Sequence, residues 1–215
     1  TLSLSSAASD VYKRQKLEGA GLRGQVAGQT SLSTVGKEGH GLTYRGYAIE
    51  DLADKAKFEE VAYLLLYGHL PNKTELEAYQ QKLISNRKLP EELKKTLELI
   101  PASAHPMDVM RTGCSVLGNL EPEGDFSNQN DAADRILAIL PSVICYWYRF
   151  SHDGISVDTE TSHETIGGQF LSLLTGKEPS EDHIRCLDTS LILYAEHGFN
   201  ASTFASRTCA STLSD

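Results

Sequence analysis

A long apolar segment in the second half of the chain constrains the fold most strongly. Residues 131–150 are apolar around nearly the whole helical circumference, and their most apolar run, 136–148, contains Pro141 and Ser142. A helix that is hydrophobic on all sides must be covered by other elements. The run is too short to span a bilayer. The segment therefore predicts a central helix inside a helical globule.

Amphipathic helical patterns flank this segment on both sides. In residues 58–66, apolar side chains recur at i, i+3, i+4, i+7 and i+8, which is one face of a helix. Thr74 and Glu77 have the spacing of a capping box, and Pro90 and Pro106 each open a further helix. The last helical patterns cover 166–174 and 182–196. In two of these helices, the side chains predicted to be buried are Met107, Met110, Cys114, Leu117, Ile184, Leu187, Leu191 and Tyr194.

A short β signal precedes the helices. Residues 25–47 are rich in Gly, Ser and Thr, and the segments 31–35 and 42–44 flank a glycine-containing turn at 36–41. This arrangement predicts a small hairpin. Strands and helices do not alternate elsewhere, which argues against an open parallel sheet. The predicted fold class is mostly α, a multi-helical globule with a small N-terminal β-hairpin.

Composition excludes several classes of function. The 215 residues include 29 acidic and 20 basic side chains, giving a net charge of -9. No basic stripe for nucleic acid is visible, and the charge argues against docking on anionic lipid. Four cysteines, at 114, 145, 186 and 209, lack metal-ligand spacing. They are predicted to be buried free thiols of a cytoplasmic protein, and no metal site is predicted.

The segment 193–207 contains the strongest candidate site. His197 follows an apolar helix, Gly198 interrupts the chain, and Asn200, Ser202 and Thr203 begin the next helix. In one interpretation, His197 only hydrogen-bonds to helix-end carbonyls and complements the helix dipole. In the other, two of the polar residues cap the next helix. The third then joins His197 in binding a carboxylate or carbonyl oxygen, with Arg207 adding a positive charge two turns further on.

Three other features carry weaker signals. Residues 19–24 match G-x-G-x-x-G, but they lack the preceding apolar strand and the following helix that dinucleotide binding requires. Asp108 and Arg111, one turn apart, are predicted to pair with each other on the surface rather than to contact a ligand. The aromatic cluster around Trp147 is more typical of a core or an oligomer interface than of a ligand stack.

Several blocks of the sequence, in order, resemble the citrate synthase family, and in particular its 2-methylcitrate synthase branch. The resemblance runs from about residue 22 to Asp215. The blocks that carry it are residues 35–37, 44–47, 58–62, 64–71, 105–111 (His-Pro-Met-Asp-Val-Met-Arg), 146–148 and 194–204 (Tyr-Ala-Glu-His-Gly-Phe-Asn-Ala-Ser-Thr-Phe).

The resemblance implies a mostly helical homodimer that condenses propionyl-CoA with oxaloacetate to give 2-methylcitrate and free CoA. In such an enzyme an Asp removes the proton α to the thioester, one His stabilises the enol or enolate, and another polarises the oxaloacetate carbonyl. By this resemblance His197 binds oxaloacetate, Asn200 lies in the same pocket, and Arg207 lies near it. No permanently bound cofactor is implied, because acyl-CoA is a co-substrate.

The resemblance also implies a domain organisation. From their own composition, with a first fifteen residues that are Ser- and Ala-rich and then basic, residues 1–24 are expected to be a disordered tail that is partly foreign to the protein. Residues 25–215 are expected to be the N-terminal part of the large helical domain, with the small domain largely missing. The catalytic side chains and most of the CoA site are expected after Asp215, so this chain alone is expected to be inactive. The alternatives are a citrate synthase that uses acetyl-CoA and a non-catalytic helical interaction domain.

Overall fold

A computed structural model describes residues 28–35 and 41–212. It contains a three-stranded antiparallel sheet of β1 (Ser33–Thr34), β2 (Thr43–Tyr44) and β3 (Tyr47–Ala48), in that order. Ser33 pairs with Tyr44, and Thr43 pairs with Ala48. The β1–β2 pair confirms the predicted hairpin, whose turn lies largely outside the described residues.

The third strand was not predicted. It follows a two-residue turn in which Arg45 and Gly46 have φ of +46° and +91°. A hairpin turn with positive φ at both central residues matches the right-handed twist of its strands. Strands of two residues are too short to show a period, and Arg-Gly is a weaker turn signal than Asn-Gly.

The other regular elements of the described chain are helices, which confirms the predicted fold class. The helices are α1 (Ile49–Lys55), α2 (Phe58–Tyr67), α3 (Lys73–Ser85), α4 (Glu91–Glu98), α5 (Pro106–Leu120), α6 (Gln129–Asp153), α7 (Ile166–Thr175), α8 (Glu181–Tyr194) and α9 (Ala201–Ala210), with a 3-10 turn at Phe126–Asn128. Within the part of the chain that the structure describes, every helix is too short or too polar to cross a membrane.

Helix α6 is the central element, as predicted. It packs against α3, α4, α5 and α7. Its side chains contribute to both hydrophobic clusters of the core, with Ala138 in one and Val143 and Trp147 in the other. The indole N–H of Trp147 donates to the Ile100 carbonyl at 3.2 Å, so this ring serves the core, as expected.

The predicted burial of α5 and α8 is partly wrong. Met107 is 63% exposed, Tyr194 is 87% exposed, and Cys114 is also exposed. Buried positions in α5 are Val109, Gly113 and Leu117. A β-carbon on Gly113 would lie 2.7 Å from Val143 Cγ1, so the glycine permits a close helix crossing that selects this face. Sequence periodicity shows that the helix has an apolar face, but which residues of that face are buried depends on the helix that packs against it.

Two smaller predictions are also wrong. The capping box of α3 is formed by Asn72 and Glu75, whose side chains each accept the other's backbone N–H, and not by Thr74 and Glu77. Asparagine is among the strongest N-cap residues and lies two positions earlier. The four cysteines are free, but only Cys145 is buried.

The described residues fall into two compact units. One contains residues 31–35 and 41–198, with the sheet and helices α1 to α8. The other contains residues 28–30 and 199–212, with helix α9. The predicted tail at 1–24 lies outside the described residues, and the assignment of 25–215 to one part of a large domain stays a prediction.

Candidate functional site

The turn after α8 places the His197 side chain at the surface. Helix α8 ends at Tyr194, and Gly198 adopts a left-handed conformation with φ of +90°. The imidazole of His197 is exposed. Within residues 31–35 and 41–198, the structure contains no hydrogen bond to this ring. The purely structural interpretation requires such a bond to a helix-end carbonyl.

Those helix-end carbonyls have another partner. Tyr44 on β2 is fully buried, and its hydroxyl donates to the Ile192 carbonyl at 2.9 Å, with the Leu193 carbonyl 3.4 Å away. The same hydroxyl oxygen accepts the backbone N–H of Glu196 at 3.2 Å. One side chain from the sheet thus satisfies both the end of α8 and the residue just before His197. The sequence interpretation gave Tyr44 no role.

Glu196 fixes the other side of His197. Its Oε1 accepts the backbone N–H of Gly198 and lies 3.4 Å from the Ser33 hydroxyl, which donates to it. The backbone amides on both sides of His197 are therefore hydrogen-bonded, while its ring faces outward. Burial raises the pKa of Tyr44. The hydrogen bond from the Glu196 N–H lowers this pKa and the Glu196 charge raises it, and the net effect is a raised pKa, so the hydroxyl keeps its proton.

The second unit contains the other two predicted site residues. Asn200 is the N-cap of α9, and its Oδ1 accepts the Thr203 N–H at 2.8 Å. This bond leaves the Asn200 amide nitrogen as the donor for a ligand. The Arg207 guanidinium lies over the Phe199 ring at 4.7 Å, and its Nη1 is so close to Gly28 that a β-carbon there would lie 2.5 Å from it.

Each of these three side chains can by itself donate hydrogen bonds to carboxylate or carbonyl oxygens. His197 ends one unit and Asn200 and Arg207 belong to the other. Their common pocket stays a prediction. The N-cap position of Asn200 agrees with the prediction that two of the residues Asn200, Ser202 and Thr203 cap the next helix.

A buried polar cluster at the start of α7 was missed entirely. Glu59 on α2 accepts the Ile166 N–H at 2.7 Å. Asp188 on α8 is so close to Gly167 that its Oδ1 would lie 2.4 Å from a β-carbon there. Arg87, also fully buried, donates to the carbonyls of Thr161, His163 and Thr165. For Glu59 and Asp188, the available signal was a charged residue inside an apolar helical pattern.

Burial governs the ionisation of this cluster. It raises the pKa of Glu59 to about 7, against the lowering effect of the Ile166 N–H. It raises the pKa of Asp188 to about 6, against the charges of Arg185 and Lys57. The Oε2 of Glu59 and the Oδ1 of Asp188 have no hydrogen-bond partner among the described residues. Removal from water disfavours the charged form of each carboxyl group.

A cavity of about 690 Å³ lies elsewhere, between α3, α5 and α6. The two basic side chains that line it are already paired: Lys82 with Asp131 at 2.6 Å and Arg135 with Glu121 at 2.7 Å. It therefore offers an anion little uncompensated charge. Across residues 28–35 and 41–212, no group of three or more metal-binding side chains occurs.

The structure also shows where the weaker sequence motifs lie. Asp108 and Arg111 pair at 3.1 Å on the exposed face of α5, as predicted. His105 is the N-cap of that helix, where its Nδ1 accepts the Met107 N–H at 3.2 Å. The glycine motif at 19–24 lies outside the described residues.

Comparison with known proteins now identifies the class. The model of the family described as "Citrate synthase, C-terminal domain" matches residues 21–215. The chain belongs to the citrate synthase family.

The relatives agree with this assignment. The chain is 66% identical to 2-methylcitrate synthase of Shewanella oneidensis over 94% of this chain and 54% of that protein. It is 38% identical to citrate synthase of Acidithiobacillus ferridurans, over 91% and 52% respectively. The chain thus spans about half the length of the curated relatives it matches.

Solved structures show the same fold. Citrate synthase from Thermotoga maritima matches with a TM-score of 0.78 and 34% identity, over 91% of this chain and 51% of that one. Citrate synthase from Thermoplasma acidophilum, in a ternary complex with carboxymethyl coenzyme A and oxaloacetate, matches with a TM-score of 0.82 and 26% identity, over 90% and 51%.

Proposed function

We propose that this chain supplies an oxaloacetate-binding part of an enzyme that condenses acyl-CoA with oxaloacetate. The observation that carries the proposal is the exposed imidazole of His197 on a turn whose neighbouring amides are anchored, with the helix-end carbonyls bonded to Tyr44 instead. Hydrogen bonds that hold the backbone of this turn lower the ordering cost of binding a ligand to the His197 ring.

In the proposed reaction, His197 donates a hydrogen bond to an oxygen of oxaloacetate, and the amide nitrogen of Asn200 donates to a second one. Arg207 contributes charge complementarity to the dianion. A base removes the α-proton of the acyl thioester, the new carbon nucleophile attacks the keto carbon, and hydrolysis of the thioester releases CoA. By family resemblance, the base and the enol-stabilising histidine are expected in the part of the relatives that this chain does not cover.

We propose propionyl-CoA as the acyl donor, in a homodimeric enzyme, and acetyl-CoA as the alternative. The 66% identity to a 2-methylcitrate synthase supports propionyl-CoA. The two donors differ by one methylene, which an apolar pocket distinguishes by about 1–3 kcal/mol. Competition between the two donors, in a protein that contains this chain and the segments that follow it in its relatives, decides between them.

Thermal unfolding with and without oxaloacetate tests the binding proposal. A ligand that binds only the folded form stabilises it by RT ln(1 + [L]/Kd), so the melting temperature rises with ligand concentration. We expect oxaloacetate to raise it for the unmodified chain and to have no effect on His197→Ala. His69→Ala, another exposed histidine, is the matched control and should keep the response. No protection of the unmodified chain would favour a non-catalytic helical interaction domain.

A further inference from the structure

The segment that presents His197 is fixed by two side chains that lie on either side of it. Tyr44 donates to Ile192 O at 2.9 Å and accepts from Glu196 N at 3.2 Å. Glu196 in turn accepts the Gly198 N–H and the Ser33 hydroxyl. The backbone before and after His197 is thereby tied to the sheet, from Ser33 on β1 and Tyr44 on β2.

Tyr44 is well suited to this task because it is anchored itself. Its ring is fully buried in the hydrophobic cluster that also contains Leu52, Leu64 and Ile192. Its single hydroxyl serves as donor to the helix end and as acceptor for the turn, which uses both of its capacities. Tyr47, three residues later in the same motif, is 45% exposed and offers a direct comparison.

The turn has few other means of holding its shape. Gly198 has a left-handed φ that L side chains rarely adopt, and the residues from 195 to 200 form no helix or strand. Without Tyr44 and Glu196, the turn would sample several conformations and the imidazole would be correctly placed for only a fraction of the time. That fraction multiplies directly into the apparent affinity for a ligand.

We propose that Tyr44 and Glu196 are positioning residues that hold the His197 imidazole in its ligand-binding orientation. This inference rests on the proposed function, because it assigns His197 to the oxaloacetate site. Tyr44 and Glu196 do not contact the ligand in this account. They act through the backbone on both sides of His197, so their loss lowers oxaloacetate affinity at a temperature where the variant remains folded.

The test combines amide hydrogen exchange with calorimetric titration of oxaloacetate into the full chain. In Tyr44→Phe we expect the Glu196 amide to exchange about 3- to 10-fold faster, the effect of losing one hydrogen bond. We expect oxaloacetate to bind about tenfold more weakly, since small misplacements of a positioned group are costly. Glu196→Ala acts from outside the core and should weaken binding similarly, which covers the case in which Tyr44→Phe fails to fold. Tyr47→Phe should change neither quantity.

The outcomes separate the two claims. If the unmodified chain binds oxaloacetate, His197→Ala does not, and both positioning variants bind as tightly as the unmodified chain, the positioning role is wrong and the proposed function stands. If the unmodified chain gives no oxaloacetate signal, the proposed function is wrong and the positioning role falls with it. Weaker oxaloacetate binding in Tyr44→Phe and in Glu196→Ala, with unchanged binding in Tyr47→Phe, supports the proposed function and the positioning role together.

Discussion

The carboxylate of Glu59 accepts a hydrogen bond from the backbone amide of Ile166 at 2.7 Å, which joins the first turn of α2 to the first turn of α7. Both residues are buried. A helix N-terminus has unpaired N–H groups and a positive dipole end, and it favours a nearby carboxylate. Burial opposes the same charge, so the ionisation of Glu59 is linked to the stability of the fold.

That linkage predicts a dependence of stability on pH. The pKa of Glu59 is about 7 in the folded chain, against 4.5 for an unperturbed glutamate. Between these values the folded chain binds more protons than the unfolded chain, so the free energy of unfolding decreases as the pH rises. The stabilising effect of protonation is complete below pH 4.5 and lost above pH 7, and amounts to at most about 3 kcal/mol. Asp188 acts with the same sign at slightly lower pH.

Glu59→Gln isolates this effect, because an amide cannot titrate but can still accept the Ile166 N–H. Denaturant unfolding between pH 5 and 7.5 should show a flatter stability curve for Glu59→Gln than for the unmodified chain. Glu77→Gln, at an exposed position of α3, is the control and should follow the unmodified chain. Parallel curves for all three proteins would show that the carboxyl group of Glu59 has no role in the pH dependence.

Asp134 and Asp131 lie close together, but we expect the loss of Asp134 to cost much more unfolding free energy than the loss of Asp131. It is fully buried and accepts hydrogen bonds from Tyr67 at 2.5 Å, Tyr79 at 3.0 Å and Lys82 at 2.5 Å. Asp134→Ala leaves the hydroxyls of Tyr67 and Tyr79 without this acceptor and removes one of the two carboxylate partners of Lys82. It should cost about 3–5 kcal/mol of unfolding free energy. Asp131 contacts the same Lys82 from an exposed position, and Asp131→Ala should cost less than about 1 kcal/mol. Equal losses in chemical denaturation would contradict this account.

The close crossing of α5 and α6 gives a third prediction. Gly113→Ala brings a methyl group within 2.7 Å of Val143 Cγ1, and overpacking of this kind costs about 1–3 kcal/mol. Gly118→Ala lies in the same helix with nothing within 4 Å, so it should stabilise the protein by up to about 1 kcal/mol. The double variant Gly113→Ala, Val143→Ala should recover part of the loss. Melting temperatures that change in the same direction for both glycines would count against the close crossing.

Much of the fold could be predicted from the sequence, because helical periodicity and helix-terminating residues are local signals. The central helix and the helix starts at Pro90 and Pro106 were predictable in this way. The phase of burial in α5 was not, because it depends on where Gly113 meets Val143.

In the candidate site, too, local features could be predicted from the sequence and contacts between distant residues could not. His197 could be chosen from its place between a helix and a glycine. The contribution of Tyr44 could not, because its partners Ile192 and Glu196 lie about 150 positions away in the chain. The cluster of Glu59, Arg87 and Asp188 was hidden for the same reason, since its members are far apart in the chain and only the fold brings them together.

The most direct test of the oxaloacetate site is the NMR signal of the His197 imidazole during titration with oxaloacetate. The signal is assigned by its disappearance in His197→Gln, and His69, which is also exposed, serves as the internal reference. We predict a saturable shift of the His197 ring resonances, with the His69 resonances unchanged. An unmoved His197 signal at saturating oxaloacetate, or equal shifts of both histidines, would contradict the assignment of His197 to the substrate site.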